Sequence, residues 1–290
     1  MGRPLRIEFD HALYLISSRA FSKQSLFIDD DDREMFLDLL ANVVDRFGWI
    51  CHGYCLFDDE YDLLIETPTA NLSRGMRQLN GVYTQDFNRR HLFSGAVFHT
   101  RFKSVVIDRS RYFAEISRYL VRLPLSRGLV DRLDDWSWSS YLAMIGVSPP
   151  PIFLECPTTL ASLGGSSSLR MMQSHYMNWV ADGCGFDLRE VLQGGHILGD
   201  DDFKEWLLDH CGSSYKGDQK KNHNRSMKTL QQLADGAKNR SWMYTAYTKY
   251  GYTMQQIADV AGVHYSTVSR AIRLDDECKR AQRLADVWRS

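Results

Sequence analysis

The sequence predicts a mixed α+β protein, with an antiparallel sheet in its N-terminal half and an all-α region behind it. Strand-like and helix-like segments follow one another in the order β-α-β-β-α-β-α over residues 12–123. This order builds a ferredoxin-like sheet with two helices on one face and leaves a third helix for the exposed side. Beyond residue 168 the apolar spacing is only helical, and the chain closes on a helix-turn-helix pattern.

Each predicted element has a signal of its own. Apolar residues at three- and four-residue spacing predict helices, and short β-rich runs bounded by polar turns predict strands. The predicted strands cover residues 12–19, 50–57, 61–67 and 103–108. The predicted helices cover residues 31–48, 72–91 and 110–123, and the third should end at Pro124, which has no backbone N–H to donate.

The length of 290 residues suits two domains, and composition places their boundary near residue 149. Residues 146–168 contain SPPPIFLECP and SLGGSSS, a shift toward proline, glycine and serine that is typical of a linker. The predicted organisation is a first domain at 1–148, a linker at 149–168, a helical middle region at 169–225 and a C-terminal domain at 226–290.

Composition is that of a folded globular protein, with 44% hydrophobic and 24% charged residues. We expect a cytoplasmic protein, because the sequence shows neither an export signal nor a long apolar run. Its six scattered cysteines are then expected to be free thiols. The net charge of −1 conceals basic clusters at 74–103 and 216–240, which indicate a phosphate-bearing partner.

The segment TMQQIADVAGVHYSTVSRAIR has the spacing of a helix-turn-helix. One helix begins at Thr253, a turn falls at 261–263, and a second helix begins near Tyr265. Ile257, Ala258, Val263, Val268 and Ile272 are expected to pack the two helices together. The residues expected to reach phosphates and base edges are His264, Tyr265, Ser266, Thr267, Ser269, Arg270 and Arg273. The alternative is an ordinary two-helix hairpin with a solvated face.

Five phrases in the first half of the chain carry a family resemblance. They are RPLRIEF, RFGWICHGYCLFDDEYDLLIETP, NLSRGMRQLNGVYTQDFNRRH, ISRYLVRLP and DWSWSSY. These phrases resemble the REP-associated tyrosine transposases, a single-tyrosine group of the HUH-type superfamily. The resemblance is dense over residues 1–145, weaker at LGDDDFKEWL, and strong again at the predicted helix-turn-helix.

The resemblance implies a nuclease in which two histidines hold a divalent metal and one tyrosine attacks a phosphate. The position of Tyr119 in ISRYLVRLP matches that nucleophile. The two histidines are replaced, because Glu60-Tyr61-Asp62 stands where the family has His-hydrophobic-His. Leu123 departs as well, because the family usually has an asparagine at that position.

Glu60 and Asp62 nevertheless project to one side of a strand, so their carboxylates should converge. Carboxylate oxygens suit Mg²⁺ or Mn²⁺, and a cation would offset the repulsion between these acids and DNA phosphate. The alternative is a solvated acidic hairpin that also includes Asp58 and Asp59.

The second predicted helix mixes cations, amides and an aromatic residue, and two cations follow it. Such a mixture suits single-stranded or hairpin DNA, because cations follow the backbone while aromatic rings stack on unpaired bases. The expected contact residues are Arg74, Arg77, Asn80, Tyr83, Arg89, Arg90, Arg101 and Lys103. A solvated helix face is the alternative, and hairpin recognition alone would not distinguish DNA from RNA.

Three functions remain open from the sequence. The first is a DNA-binding protein on a transposase scaffold with weakened or lost catalysis. The second is an active single-strand endonuclease that forms a 5′-phosphotyrosine intermediate through Tyr119 with Mg²⁺ or Mn²⁺ at Glu60 and Asp62. The third is a protein-interaction module, suggested by the polar middle region at 150–240.

Overall fold

The computed structural model forms two compact units, Met1–Tyr215 and Lys216–Ser290. The residues that the structure describes are 6–21, 25–164, 168–183, 188, 192, 195–211, 230–235, 241–248, 254–264, 267–268 and 270–272. None of the helices in these ranges is long and apolar enough to cross a membrane.

The first unit is a sheet with helices on both of its faces. In chain order its described elements are β1 (Ala12–Arg19), α1 (Asp30–Phe47), β2 (Ile50–Leu56), β3 (Glu60–Thr67), α2 (Leu72–Arg90), β4 (Lys103–Ile107), α3 (Arg109–Ser126), α4 (Tyr141–Met144), α5 (Cys156–Ala161), α6 (Leu169–Ala181), β5 (Ile197–Leu198) and α7 (Asp201–Cys211), with a 3₁₀ turn at Leu133–Asp135. The predicted order β-α-β-β-α-β-α is therefore confirmed for residues 12–126, and the mixed α+β class with it.

The strands form one five-stranded sheet in the order β2-β3-β1-β4-β5. β1 lies between β3 and β4 and is antiparallel to both, and β2 is antiparallel to β3. β5, which the sequence pattern did not predict, pairs parallel with β4 through Ile197 and Leu198. Two residues give too short a run for periodicity to reveal a strand.

Alternation along the strands produces two buried faces. Tyr14 on β1 and Tyr61 on β3 are fully buried, and Tyr61 contacts Phe36 of α1, which in turn packs against α2. On the opposite face, Leu15 and Leu64 form a core cluster with the apolar side of α3. We call this second side of the sheet the α3 face.

Helix α3 continues past Pro124 to Ser126, so the prediction that proline ends it is wrong. Pro124 lies close to the end of the helix, where its missing N–H removes a single bond, so the following turn can still form. The backbone N–H of Arg127 donates to the carbonyl of Leu123 at 3.0 Å. The helix then stops at Gly128, whose φ of +65° is left-handed and favours glycine.

Residues in the segment expected to be a linker lie along the edge of the sheet. Leu154 forms a parallel bridge with Cys51 of β2, and the N–H of Glu155 donates to the Cys51 carbonyl at 2.8 Å. Helix α5 follows at once, and Leu160 on it is buried. Phe153 and Leu154 are apolar residues inside the proline-rich run, and their burial brings this stretch onto the sheet.

The second unit contains three described helices, α8 (Leu230–Asp235), α9 (Ser241–Thr248) and α10 (Met254–Ala261), and further helical residues at 267–268 and 270–272. Its core cluster includes Ile257, Ala258, Val268 and Ile272, with Val263 partly buried against them. These five residues lie in one cluster, and the second helix of the predicted pattern is described only at residues 267–268 and 270–272. Gly262 has a φ of +64° at the predicted turn.

Two glycines of α2 provide a matched test of the packing between this helix and Trp49. A Cβ on Gly75 would lie 2.1 Å from Cζ2 of Trp49, whereas a Cβ on Gly81 would meet no atom within 4 Å. We expect Gly75→Ala to lower the free energy of unfolding by about 1–3 kcal/mol through overpacking. Gly81→Ala should raise it by about 0.5–1 kcal/mol through helix propensity.

Urea unfolding measures the change in unfolding free energy of each variant, provided that the m-value is the same as in the wild type. Equal shifts of the midpoint for the two alanines would contradict the close approach of α2 to Trp49.

Candidate functional site

Three carboxylates of β3 lie on the α3 face of the sheet. Glu60, Asp62 and Glu66 alternate along the strand, so their side chains project to the same side. All three are buried. The register places Glu60 opposite Arg19 and Asp62 opposite Ser17 on β1. Three buried acids on one face need partners, because an isolated buried charge is costly.

Arginines at the two ends of α3 supply part of this pairing. Arg109, the first residue of α3, forms an ion pair with Glu66. Arg127, directly after the last residue of α3, places Nη2 2.9 Å from Oε2 of Glu60. Helix α3 therefore runs antiparallel to β3 and is tied to it by ion pairs at both ends.

The Glu60 end of the site is a compact group of two acids and two arginines. Nη2 of Arg127 lies 3.6 Å from Oδ2 of Asp62, so one guanidinium contacts both carboxylates. Nε of Arg19 lies 2.9 Å from the other oxygen of Glu60. The Arg127 guanidinium also lies over the ring of Phe57, 3.8 Å from its centroid. Both oxygens of Glu60 are therefore paired with a cation.

Asp62 is as deeply buried as Glu60. Burial, reinforced by the negative charge of Glu60, raises the pKa of Asp62 to about 7, although a hydrogen bond from Ser17 and the charge of Arg127 oppose the rise. The Ser17 hydroxyl donates to Oδ1, whereas Oδ2 accepts no hydrogen bond within the described chain. The oxygen nearest Arg127 is thus held by charge alone.

The two carboxylates converge as predicted, but they converge on a guanidinium. A divalent cation needs several oxygen ligands directed toward one point. Here Arg127 and Arg19 occupy the oxygens of Glu60, and Arg127 is also the nearest cation to Asp62. Within the described ranges no group of three or more His, Cys, Asp or Glu is arranged to hold a metal. The donor set therefore does not fit Mg²⁺ or Mn²⁺.

Tyr119 lies on α3, the helix that covers the carboxylate face. Its side chain is half-buried and packs against the core cluster that includes Leu15 and Leu64. Leu123, one turn further along, is buried in the same cluster. Leu123 is thus part of the apolar packing of α3, and Tyr119 remains the expected nucleophile by its place in the motif.

The Glu66 end of the site was not anticipated from the sequence. Nε2 of the buried His52 lies 3.0 Å from Oε2 of Glu66, and Nδ1 of His11 lies 3.8 Å from Oε1. Burial alone would raise the pKa of Glu66, but hydrogen bonds from His11 and His52 and the charge of Arg109 hold it well below its usual range. The alternation of Glu66 with Glu60 and Asp62 was the signal that could have revealed this group.

Two residues expected to contact nucleic acid are directed into the protein instead. Tyr83 is 0% exposed and packs among aromatic rings, so it cannot stack on a base. Its hydroxyl donates to the carbonyl of Leu26. The amide oxygen of Asn80 accepts from the hydroxyl of Tyr61, so Asn80 faces the sheet. Helical spacing places both residues on the apolar side of α2, which the mixed composition of the helix obscured.

The predicted basic residues between positions 74 and 103 are all exposed, and two of them form ion pairs with acids of the described chain. Arg90 forms ion pairs with acids at the start of α1, among them Asp29 at 2.6 Å, and Arg89 pairs with Asp86 at 2.6 Å. Four others are exposed, namely Arg74, Arg77, Arg101 and Lys103. The acidic start of α1 thus neutralises part of the predicted basic surface.

In the C-terminal unit, His264 and Arg270 are exposed and Thr267 is half-buried. The Thr267 N–H donates to the His264 carbonyl at 2.8 Å. The other predicted contact residues, Tyr265, Ser266, Ser269 and Arg273, lie at positions where no side chain is described.

No protein-family model matches this sequence, and a search of curated proteins finds no match. Among solved structures, the chain is similar to a REP-associated tyrosine transposase bound to a REP hairpin. The TM-score is 0.45 at 13% sequence identity, over 53% of this chain and 92% of that chain. The relationship is distant and structural.

The arginine-paired site leads to a prediction about metal binding. We expect MnCl₂ at about 5 mM, a concentration above the Kd of a weak site, to leave the melting temperature of the protein unchanged. The reason is that the carboxylates already have cationic partners. The double variant Arg19→Ala/Arg127→Ala should be less stable and should gain stability with Mn²⁺, because the freed carboxylates can then ligate. Arg132→Ala, at an exposed arginine paired with Asp134, is the matched control. A Mn²⁺ shift in the wild type that Glu60→Gln removes would contradict this assignment.

The Glu66 group leads to a prediction about acid stability. The folded-state pKa of Glu66 is below the unfolded value, so its stabilisation is fully present above the unfolded pKa, near 4.3, and is lost as the pH falls from there toward the folded-state pKa. The pKa of His52 is also lowered, in this case by burial, so protonation of His52 at low pH opposes folding as well. We expect Glu66→Gln to flatten the fall of unfolding free energy below about pH 5. Glu34→Gln, a substitution at an exposed residue of α1, is the control and should retain the wild-type dependence of unfolding free energy on pH. The same pH dependence in the wild type and both variants would exclude this role of Glu66.

Proposed function

We propose that this chain is a DNA-binding protein on a REP-associated tyrosine transposase scaffold, in which metal-dependent strand cleavage is weakened or lost. It recognises hairpin or single-stranded DNA in the cytoplasm. One observation carries the proposal: Arg127 and Arg19 form ion pairs with the two acids that occupy the positions of the family's metal ligands. A guanidinium has no acceptor and cannot take the ligand role of a histidine.

The scaffold assignment is supported by the sheet together with the sequence phrases. The strand order β2-β3-β1-β4, all antiparallel, with helices after β1 and β3, corresponds to a ferredoxin-like sandwich. The acids lie on a central strand, and Tyr119 lies on the helix covering that strand. This is the relation that the motif resemblance implies between ligand positions and nucleophile.

Nucleic-acid binding is supported by cations that remain at the surface. Arg77, Arg101 and Lys103 are exposed, and no ion pair of theirs is found among the described residues. Exposed cations that lack an acidic partner are available to phosphate, and they make binding strongly dependent on salt.

A second DNA contact is proposed for the C-terminal unit. The turn at Gly262 and the burial of Val268 and Ile272 agree with a helix-turn-helix that presents Arg270 to duplex DNA. The exposed position of Arg270 supports this role.

The second candidate function is an active single-strand endonuclease. It is favoured by the tyrosine itself, because Tyr119 is in the motif position and is only half-buried. Attack of its hydroxyl on a phosphate would displace a 3′-hydroxyl and leave a 5′-phosphotyrosine bond. The two functions share DNA binding and differ only in this covalent product.

One experiment separates the two functions. Labelled single-stranded DNA carrying a hairpin from the gene's own neighbourhood is incubated with protein and Mg²⁺, Mn²⁺ or EDTA. A native gel then measures binding, and a denaturing gel measures covalent adduct. We expect a salt-sensitive shift that EDTA leaves unchanged, no adduct, and equal affinity for Tyr119→Phe.

Replacing Arg101 and Lys103 by alanine should weaken this shift and reduce its salt dependence. An adduct that requires both metal and Tyr119 would establish the endonuclease instead. The complete absence of a shift at low salt would overturn both functions.

A further inference from the structure

The ladder between β1 and the chain before β4 extends beyond the two strands. Ala20 forms an antiparallel bridge with Phe98, just past the end of β1. The N–H of Phe21 donates to the carbonyl of Val97 at 2.9 Å, and the N–H of His99 donates to the carbonyl of Arg19 at 3.0 Å. Residues 19–21 and 97–99 therefore lie side by side as extended chain.

This extension continues the α3 face outward. The Arg19 side chain contacts Glu60, so it lies on the α3 face, and Phe21 follows two residues later on the same side. His99 lies opposite Arg19 and shares that side. The rings of Phe21 and His99 are 5.7 Å apart with a 36° angle between their planes.

The aromatic pair is exposed, unlike the core rings of this unit. Phe21 is 45% exposed, whereas Phe27 and Phe36 are almost completely buried. The backbone hydrogen bonds at Phe21 and His99 hold the Cα atoms of both residues in place. The exposed pair of rings is therefore attached to an ordered β-ladder. A preorganised aromatic surface loses little conformational freedom when it binds a flat ligand.

Cations border this pair on the same face. The Arg19 side chain is 63% exposed despite its bond to Glu60. Lys103 is exposed and lies opposite Ser17 in the register of β1 and β4, so it is also on the α3 face. Aromatic rings flanked by cations are the arrangement with which proteins bind single strands, because bases stack on the rings and phosphates approach the cations.

We propose that Phe21 and His99 form a stacking site for an unpaired nucleobase, with Arg19 and Lys103 beside the flanking phosphates. The site lies on the same face of the sheet as the carboxylates, next to Arg19, which pairs with Glu60. This inference rests on the proposed function. It specifies that this surface binds an unpaired base outside the hairpin stem.

The test uses the full-length protein and hairpin DNA with a single-stranded tail that carries one 2-aminopurine. Binding should quench the 2-aminopurine fluorescence through stacking. Phe21→Ala should lose the quenching and weaken affinity about 10-fold or more, while Phe21→Trp should retain both. Phe93→Ala is the matched control, because Phe93 is 37% exposed on the loop after α2 and outside this ladder. Circular dichroism confirms that each variant is folded.

The outcomes separate this inference from the proposed function. Tailed-hairpin affinity and quenching in Phe21→Ala equal to those of the wild type would overturn the stacking site while leaving DNA binding intact. Equal losses in Phe21→Ala and Phe93→Ala would overturn it too, because the effect would not be specific to the ladder. Failure of the wild type to bind any tailed hairpin would instead overturn the proposed function.

Discussion

The attachment of α3 to β3 by ion pairs at its two ends is the constraint on which the candidate site depends. Arg109 meets Glu66 and Arg127 meets Glu60, so the helix lies antiparallel to the strand in one register. Arginine–carboxylate pairs are directional, so they specify this register in addition to the apolar contact. The position of Tyr119 over the sheet follows from these two attachments.

The same sheet shows how the protein covers its edges. β2 is an edge strand of the five, and its free side is paired by bridges from Cys51 to Leu154 and from Cys55 to Ser139. β5 pairs with β4 at the other side. Unpaired edges promote association with other chains, so these short additions have a protective role. They also explain why residues beyond 148 pack with the first unit.

The elements that could be predicted from the sequence are those with a local signal. The alternation in ALYLISSR and the spacing in α1 and α2 do not depend on distant residues, and the structure places these elements within a residue or two of expectation. β5 and the pairing of Leu154 with Cys51 arise only when distant segments meet, so no local pattern announces them. Tyr83 was assigned to the surface because composition, rather than helical position, was given most weight.

In the candidate site, too, the features with a local sequence signal could be predicted and the contacts between distant residues could not. The shared side of Glu60 and Asp62 followed from alternation and is present in the structure. Their partner could not be predicted, because Arg127 lies 67 residues from Glu60 along the chain and comes close only through the helical turn after Pro124. The sequence predicted that the helix ends before this turn, so the contact between Arg127 and Glu60 was not expected. This contact determines what the carboxylates can bind.

The ion-paired group has a consequence for how this sequence can change over time. Removing one partner of a buried ion pair leaves an uncompensated charge, which costs about 3–5 kcal/mol, a large part of the stability of a typical domain. The cost of a substitution at position 60, 62 or 127 therefore depends on the residues at the other two positions, and at position 60 also on Arg19, which pairs with the second oxygen of Glu60. Among descendants of this chain, we expect substitutions at these three positions to occur in combination more often than singly.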